Sequence, residues 1–225
     1  PTSQQRYYVL HAQLEYPESG INWHCSKLYY TLVNTFFNDG LGKVIEKNKI
    51  IISDTLSVGK LTAVRHANGR DWWIIFHELA SPTYYRILIT PTGIQNLGKE
   101  STGVGIPEDG IGQAVFSPDG SFFARINSIS LEDGQYVDIY QFDADWAVGQ
   151  PGANTLRLDA YAAGIAISPN SRYLYVSTYT KIYQFDLWAD DIAASKKLAA
   201  TYDGFTEIGL STTFYLAQLA PDGKI

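Results

Sequence analysis

The stretch AVFSPDGSFF (residues 114–123) decides the fold, because it has the pattern of one β-strand, a tight turn and the start of a second strand. Asp119 and Gly120 tolerate the positive φ angles that tight turns need, and Pro118 favours the first corner of such a turn. Apolar residues flank the turn on both sides. The stretch therefore predicts two adjacent antiparallel strands.

The same turn recurs at nearly constant spacing. The stretches RHANGRDWW (65–73), FSPDGSFFA (116–124), ISPNSRYLY (167–175) and LAPDGKI (219–225) align on their turns. Their equivalent residues Asn68, Asp119, Asn170 and Asp222 are separated by 51, 51 and 52 residues. We assign structural turn roles to Asn68, Gly69, Pro118, Asp119, Gly120, Pro169, Asn170, Pro221, Asp222 and Gly223. Such a period indicates one structural unit repeated along the chain.

Each full repeat predicts four antiparallel strands. They are 61–66, 72–79, 84–90 and 94–97 in the second repeat, 112–117, 121–127, 136–143 and 154–159 in the third, and 163–168, 172–178, 181–187 and 197–202 in the fourth. The first repeat predicts 6–16, 27–37 and 43–52. Runs such as WWIIF (72–76) are apolar at consecutive positions, which predicts strands covered on both faces. Four-stranded meanders packed face to face are typical of a β-propeller, so we predict an all-β fold of this kind.

The propeller prediction places all 225 residues in one domain. The repeats span about 1–60, 61–111, 112–162 and 163–211, and residues 212–225 start or complete a further blade. In one arrangement a strand at 212–220 pairs with the N-terminal strands and closes a four-bladed ring. We expect the other arrangement, a segment of a larger propeller whose exposed blade faces favour self-association, because four-bladed rings are small and uncommon.

One segment is a candidate helix. WADDIAASKKLAA (188–200) begins with acidic residues and ends with lysines, as the helix dipole favours.

Composition and charge exclude several classes of protein. The net charge is −6, and no stripe of lysine or arginine is present, which argues against nucleic-acid binding. No apolar run is long enough for a transmembrane helix. Cys25 is the only cysteine, so an internal disulfide is impossible, and we expect a small, partly buried side chain there.

Motifs for cofactors and metals are incomplete. GVGIPEDG (103–110) has Glu108 where a dinucleotide-binding loop needs glycine, and HELAS (77–81) has Ser81 where a zinc protease needs its second histidine. We therefore expect no cofactor and no metal site, with the four histidines in ordinary polar or half-buried positions.

The ordered motifs carry a family resemblance. LYYTLVNTFFNDGLGKVIEKNKII (28–51), KLTAVRHANGRDWWIIFHE (60–78), YYRILITPTGI (84–94), GQAVFSPDGSFFA (112–124) and YLAQLAPDGKI (215–225) resemble the WD40-like or YVTN-type β-propeller region of large exported bacterial surface proteins. Such regions are often joined to PKD-type and C-terminal sorting domains. The resemblance implies a secreted or cell-surface location and a scaffold or binding role, and it supplies no catalytic residues.

Two tryptophans are the candidate binding residues, and packing within a blade is the alternative role for both. Trp146 and Trp188 follow the predicted third strands of two repeats, where indole rings supply rigid contact area for a protein or carbohydrate ligand. The loops at 101–111 and 128–135 are expected to lie over one shared face. Trp72 and Trp73 alternate on one strand, so at least one belongs in the core.

The alternative is a propeller-type polysaccharide hydrolase or lyase. A hydrolase needs two carboxyl groups around the sugar, and Glu78, Glu132 and Glu207 are the glutamates nearest the predicted strands or turns. A concave aromatic patch without a carboxylate pair would favour binding instead. A purely structural spacer would have neither feature.

Overall fold

The computed structural model describes residues 5–18, 23–103, 111–127, 135–143, 147–148, 154–158, 162–207, 209–211 and 213–225. The strands are β1 (Arg6–Glu15), β2 (His24–Asn34), β3 (Lys43–Arg65), β4 (Trp72–Glu78), β5 (Thr83–Thr90), β6 (Gly93–Ser101), β7 (Gly112–Phe116), β8 (Phe122–Asn127), β9 (Gln135–Asp143), β10 (Ala147–Val148), β11 (Asn154–Leu158), β12 (Ala162–Ile167), β13 (Tyr173–Thr178), β14 (Lys181–Asp186), β15 (Lys197–Thr201), β16 (Thr206–Glu207) and β17 (Leu210–Ser211). A 3-10 turn spans Asn38–Gly40.

The strands form consecutive antiparallel sheets, and the all-β propeller prediction is confirmed. The fourth blade is the meander β12-β13-β14-β15. In the third blade β7, β8 and β9 follow one another, and both β10 and β11 pair with β9. The second blade runs from the end of β3 through β4, β5 and β6.

Strand β3 is longer than predicted, because it joins the expected strands 43–52 and 61–66 without a break. Its first part pairs with β2 and its second part with β4. Between Leu56 and Leu61 the register shifts, and Gly59 adopts a positive φ of 77° there. We attribute the continuity to a bend at Gly59, which takes the place of a separate turn between the first two blades.

The core lies between blades, as the consecutive apolar positions predict. One buried cluster joins the first and second blades around Leu28, Leu56 and Phe76. A second joins the second and third blades around Trp73 and Phe123. A third joins the third and fourth blades and includes Ile126, Ile139, Ile165 and Phe185. Strands β4, β8 and β9 therefore bury both faces, which explains why they do not alternate strictly.

The repeated turns lie at one end of the strands, named here the turn face; the other end is the opposite face. Backbone N–H groups of Gly69, Gly120, Ser171 and Gly223 donate to the carbonyl three residues earlier, each at 2.9 Å. Asp119 Oδ1 accepts bonds from Ser117 Oγ at 2.7 Å and from the N–H of Ser121 at 2.9 Å. Adjacent turns are linked, because the N–H of Asp119 donates to Ser171 Oγ at 3.1 Å.

The candidate helix at 188–200 is wrong. The chain forms turns after Asp186, with bonds from the N–H of Ser195 to Ile192 and of Lys196 to Ala193, and β15 begins at Lys197. Ile192 is buried in the core, which anchors this short connection between two strands.

The predicted strand at 212–220 is also wrong within the described residues 213–220, which form no strand. The segment lies along β12 instead. Gln113 Nε2 donates to the carbonyl of Ala217 at 2.6 Å, and the N–H of Phe214 donates to the carbonyl of Tyr179 at 3.1 Å. Among the described pairings β1 bonds only to β2.

Candidate functional site

A cavity of about 300 Å³ opens where the fourth blade ends at the opposite face. It is lined by Thr201, Tyr202, Asp203, Phe205, Thr213 and Phe214, and these six residues are named the aromatic cleft. Its volume is at the lower end of the range for small-ligand sites.

The first wall of the aromatic cleft is the turn that follows β15. The N–H of Tyr202 donates to the carbonyl of Thr180 at 2.8 Å, which fixes the start of the turn to the neighbouring connection. Asp203 Oδ1 accepts the N–H of Phe205 at 2.9 Å, as aspartate commonly does in turns. The hydroxyl group of Tyr202 donates to the carbonyl of Phe205. The two aromatic residues of this wall are therefore tied together through the backbone.

The second wall is the segment that begins at Thr213. Its bond from the N–H of Phe214 to the carbonyl of Tyr179 brings it beside the fourth blade. The rings of Tyr179 and Tyr215 stack next to this bond, with centroids 6.2 Å apart. Ser177 Oγ donates to the carbonyl of Tyr215 and holds the segment on the other side of the ring pair.

The chemistry of the aromatic cleft is that of a site for a neutral polar ring. Phe205 is 57% exposed. Thr201 and Thr213 contribute hydroxyl groups. Among the six described lining residues only Asp203 carries a carboxyl group. The cleft is thus concave, aromatic and without a carboxylate pair.

Trp188, predicted as a binding residue, lies elsewhere, in the turn after β14 at the turn face. Its side chain is 61% exposed. The guanidinium of Arg172 lies 5.3 Å from the Trp188 ring and 5.2 Å from the Tyr173 ring. Asp186 holds this guanidinium, with Arg172 Nη2 2.7 Å from Asp186 Oδ2, and the bond lowers the pKa of Asp186. The binding role of Trp188 stays a prediction, and Trp146 lies outside the described residues.

The other tryptophan prediction is confirmed. Trp73 is buried in the core between blades, whereas Trp72, on the other face of the same strand, is 44% exposed. Cys25 is buried as well, and its thiol pKa is raised to about 11, mainly by that burial.

The glutamates considered for hydrolysis do not converge on the aromatic cleft. Glu78 Oε1 lies 2.5 Å from Lys99 Nζ, which also lies 2.6 Å from Asp54 Oδ2. Burial raises the pKa of Asp54, but bonds from Lys99 and Tyr85 outweigh it and bring the pKa to about 2. Glu207 is exposed in β16, and Glu132 lies outside the described residues. The Glu78–Asp54 pair thus has an ammonium between its members.

The histidines occupy separate positions. His11 stacks on Tyr29, and His66 stacks on Trp73. Within the described ranges no three His, Cys, Asp or Glu side chains are grouped as a metal site requires. The loops 104–110 and 128–134 expected over one face lie outside the described residues.

A buried polar cluster between the second and third blades was missed by the sequence reasoning. Arg125, fully buried in β8, donates from Nε to Asp138 Oδ2 at 2.9 Å. His77 Nδ1 lies 2.8 Å from Ser57 Oγ, and Arg125 Nη1 contacts His77 Nε2. Lys60 Nζ lies nearby in the same interior. The signal was present as single charged residues inside apolar strands, such as FFARIN and YVDIY.

The environment of this cluster keeps His77 neutral. Burial lowers the pKa of His77 most, the charges of Arg125 and Lys60 lower it further, and the result is about 2. Burial also lowers the pKa of Lys60 well below its usual value, with a smaller effect of Arg125. All five residues are buried, so the cluster fastens two blades together and is not an open reaction site.

Several solved structures resemble this chain in fold. A Bacteroides fragilis protein named as a candidate 6-phosphogluconolactonase matches with a TM-score of 0.54 and 16% identity, over 91% of this chain and 56% of its own. One from Bacteroides uniformis with the same name matches with a TM-score of 0.53 and 18% identity, over 98% of this chain and 73% of its own. The β-propeller domain of Swd1 from Myceliophteria thermophila has a TM-score of 0.49 and 11% identity, over 92% of this chain and 63% of its own.

The two Bacteroides matches show the fold alone, because their identities are low. The chain is a β-propeller. It spans 56% of the length of the Bacteroides fragilis protein. No protein-family model and no curated protein matches the sequence. In the part of the chain that the structure describes, no helix is long and apolar enough to cross a membrane.

Proposed function

We propose that this propeller is a non-catalytic carbohydrate-binding module of an exported or cell-surface protein, and that the aromatic cleft is its sugar site. The observation that carries the proposal is the combination of Tyr202, Phe205 and Phe214 around one concave space with a single carboxyl group.

A sugar ring suits these walls. The faces of aromatic rings carry partial negative charge, and they attract the partly positive C–H groups on the flat side of a pyranose. The hydroxyl groups of Thr201 and Thr213 and the carboxylate of Asp203 can exchange hydrogen bonds with sugar hydroxyls at the rim. A neutral oligosaccharide is favoured over an acidic one, because Asp203 is the charged residue of the cleft.

Hydrolysis is less well supported than binding. A glycosidase places two carboxyl groups on either side of the bond that it cleaves. The aromatic cleft has one, and the Glu78–Asp54 pair is bridged by Lys99. A second carboxyl group is therefore missing from the described lining.

The exported location rests on the family resemblance of the motifs alone. Self-association through exposed blade faces and a protein partner at Trp188 also stay proposals. Lactone hydrolysis, the activity in the name of two structural neighbours, is not proposed for this chain because those likenesses extend to the fold only.

The test is calorimetric titration of the purified chain with cellohexaose, xylohexaose and chitohexaose. We expect one of them to bind, and Phe205→Ala to weaken that binding about tenfold, since one aromatic contact and its area are lost. Trp188→Ala removes a similarly exposed aromatic ring at the turn face and is the matched control. It should bind as the unsubstituted chain does.

Three results would overturn the proposal. Absence of binding to all three sugars rejects the sugar site, and equal binding by Phe205→Ala places the ligand elsewhere. Loss of binding in Trp188→Ala alone would move the site to the turn face. Chromatography of the incubated sugars would show shortened products if the chain were a hydrolase.

A further inference from the structure

The hairpin between β2 and β3 exposes large apolar side chains. Residues 35–42, named here the hairpin tip, connect these strands at the turn face. Phe36 is 70% exposed, Phe37 41% and Leu41 90%. Exposure of such side chains to water is energetically unfavourable, and a partner that covers them would remove this cost.

The hairpin tip is a folded loop. The N–H of Gly42 donates to the carbonyl of Phe37 at 3.0 Å, and Asn38 Nδ2 donates to the carbonyl of Gly42 at 2.8 Å. Asn38 and Asp39 both adopt positive φ angles, 56° and 54°, which few residues do without support. The hydrogen-bonded backbone therefore keeps the apolar side chains exposed and away from the sheet.

Positive charge lies directly behind the apolar side chains. In the strand register Asn34 lies between Arg6 of β1 and Lys43 of β3, and both cations are exposed. Lys43 Nζ lies 5.8 Å from the Phe37 ring. Lys47 and Lys49 follow on the same exposed strand. Residues 1–50 contain five Lys and Arg against four Asp and Glu, a net charge of +1, in contrast to −6 for the whole chain.

The next row of the sheet is aromatic and aliphatic. Tyr7 and Val44 flank Val33 in the register, and they are 56% and 48% exposed. The carboxylate of Glu46 accepts a hydrogen bond from the Tyr30 hydroxyl group at 2.6 Å. Asp39 is the acidic residue within the hairpin tip itself.

We infer that the hairpin tip docks onto a bilayer surface that contains anionic lipids. The three apolar side chains would enter the region between headgroups and acyl chains, and Arg6 and Lys43 would contact the anionic headgroups. A stable protein interface buries about 800 Å² on each side, more than a loop with three large side chains offers. A bilayer needs no complementary pocket. This inference does not depend on the sugar site.

The test is flotation of the chain with vesicles of phosphatidylcholine, with or without phosphatidylglycerol. We expect binding to the anionic vesicles, and Phe36→Ser combined with Leu41→Ser should reduce it at least about tenfold. Arg6→Gln combined with Lys43→Gln should remove the preference for phosphatidylglycerol. Leu97→Ser replaces an exposed leucine of β6 and is the control that should bind normally.

Two results would overturn the inference. Either the unsubstituted chain fails to float with both kinds of vesicle, or the Phe36→Ser, Leu41→Ser variant floats as well as the unsubstituted chain. Light scattering on the same variants identifies the competing explanation. If the tip substitutions convert a dimer to a monomer and no vesicle binding occurs, the hairpin tip contacts a second copy of the chain and does not contact lipid.

Discussion

Gly59, at the bend of β3, packs against the backbone carbonyl of Gly112 at the start of β7, and no β-carbon on Gly59 would fit between them. The contact recurs at similar intervals. A β-carbon on Gly112 would meet the carbonyl of Ile126, and one on Gly164 would lie 2.5 Å from the nitrogen of Ala217. Close approach of backbones therefore requires glycine at these three positions.

Gly112→Ala should destabilise the propeller strongly. The new methyl group would meet the backbone of β8, which cannot move without breaking the pairing of Gly112 with Asn127. We expect the free energy of unfolding to fall by about 3 kcal/mol in urea titrations followed by tryptophan fluorescence. Gly69→Ala, where the added carbon meets only open space, is the control and should cost about 1 kcal/mol through its backbone conformation. Equal losses would contradict the packing argument.

Asp138→Asn should also be strongly destabilising. Arg125 is 0% exposed, and the substitution would leave its buried guanidinium without the carboxylate that accepts from Nε at 2.9 Å. The expected loss in the free energy of unfolding is about 3–5 kcal/mol. Replacing both partners, as Arg125→Met with Asp138→Leu, should restore most of it. If the double variant is as unstable as the single one, unpaired charge is not the cause.

The stability of the chain should decrease as pH falls from 7 to 5, because of His77. Its pKa is about 2 in the folded state against about 6.5 when unfolded, so only the unfolded chain gains this proton in that range. The free energy of unfolding therefore falls by about 1.4 kcal/mol per pH unit below pH 6. Asp54, with a lowered pKa, contributes only at lower pH.

Thermal unfolding across this pH range measures the effect. His77→Gln should give a flatter dependence on pH, even if the variant is less stable at pH 7. His11→Gln, at a histidine stacked on Tyr29 outside the buried cluster, should keep the slope of the unsubstituted chain. An unchanged slope in His77→Gln would show that another group takes up the proton.

Gln113→Leu should loosen the link between the third and fourth blades. The side-chain amide of Gln113 accepts the N–H of Ile165 at 3.0 Å and donates to the carbonyl of Ala217 at 2.6 Å. Without it, the buried N–H of Ile165 loses its partner, at a cost of about 1–3 kcal/mol.

Hydrogen exchange gives the local readout for this change. The Ile165 amide should exchange at least about tenfold faster in Gln113→Leu. Gln184→Leu, which removes an amide bonded to Tyr175 within one blade, should leave Ile165 protected. Continued protection of Ile165 in Gln113→Leu would mean that the amide contributes little to the contact between blades.

The strands of the third and fourth blades were predictable because their boundaries depend on local chemistry. Turn residues such as Pro118, Asp119 and Asn170 act within a few residues of themselves, so a single sequence reveals them. The candidate helix at 188–200 failed for the converse reason. Its charge pattern was favourable for a helix, but burial of Ile192 between blades decided the conformation, and a local pattern does not report such burial.

The aromatic cleft could not have been predicted in the same way. Tyr202 and Phe214 are 12 residues apart, and they line one space because the segment from Thr213 bonds to the connection after β13. Trp188 stood out by residue type and was predicted for binding, yet it lies at the other end of the blade. An exposed tryptophan is visible in a sequence, whereas a concave space is a property of two segments together.

The sequence by itself determined the repeat, the four-stranded blade and the position of each tight turn, because these depend on hydrophobic pattern and on backbone preferences of neighbouring residues. Tertiary structure alone decided which polar groups meet inside, as Arg125 meets His77 and Asp138 between blades. It also decided that the C-terminal segment lies along β12. These outcomes depend on contacts between residues far apart in the chain, whose energies are set by burial and geometry that only the packed blades provide.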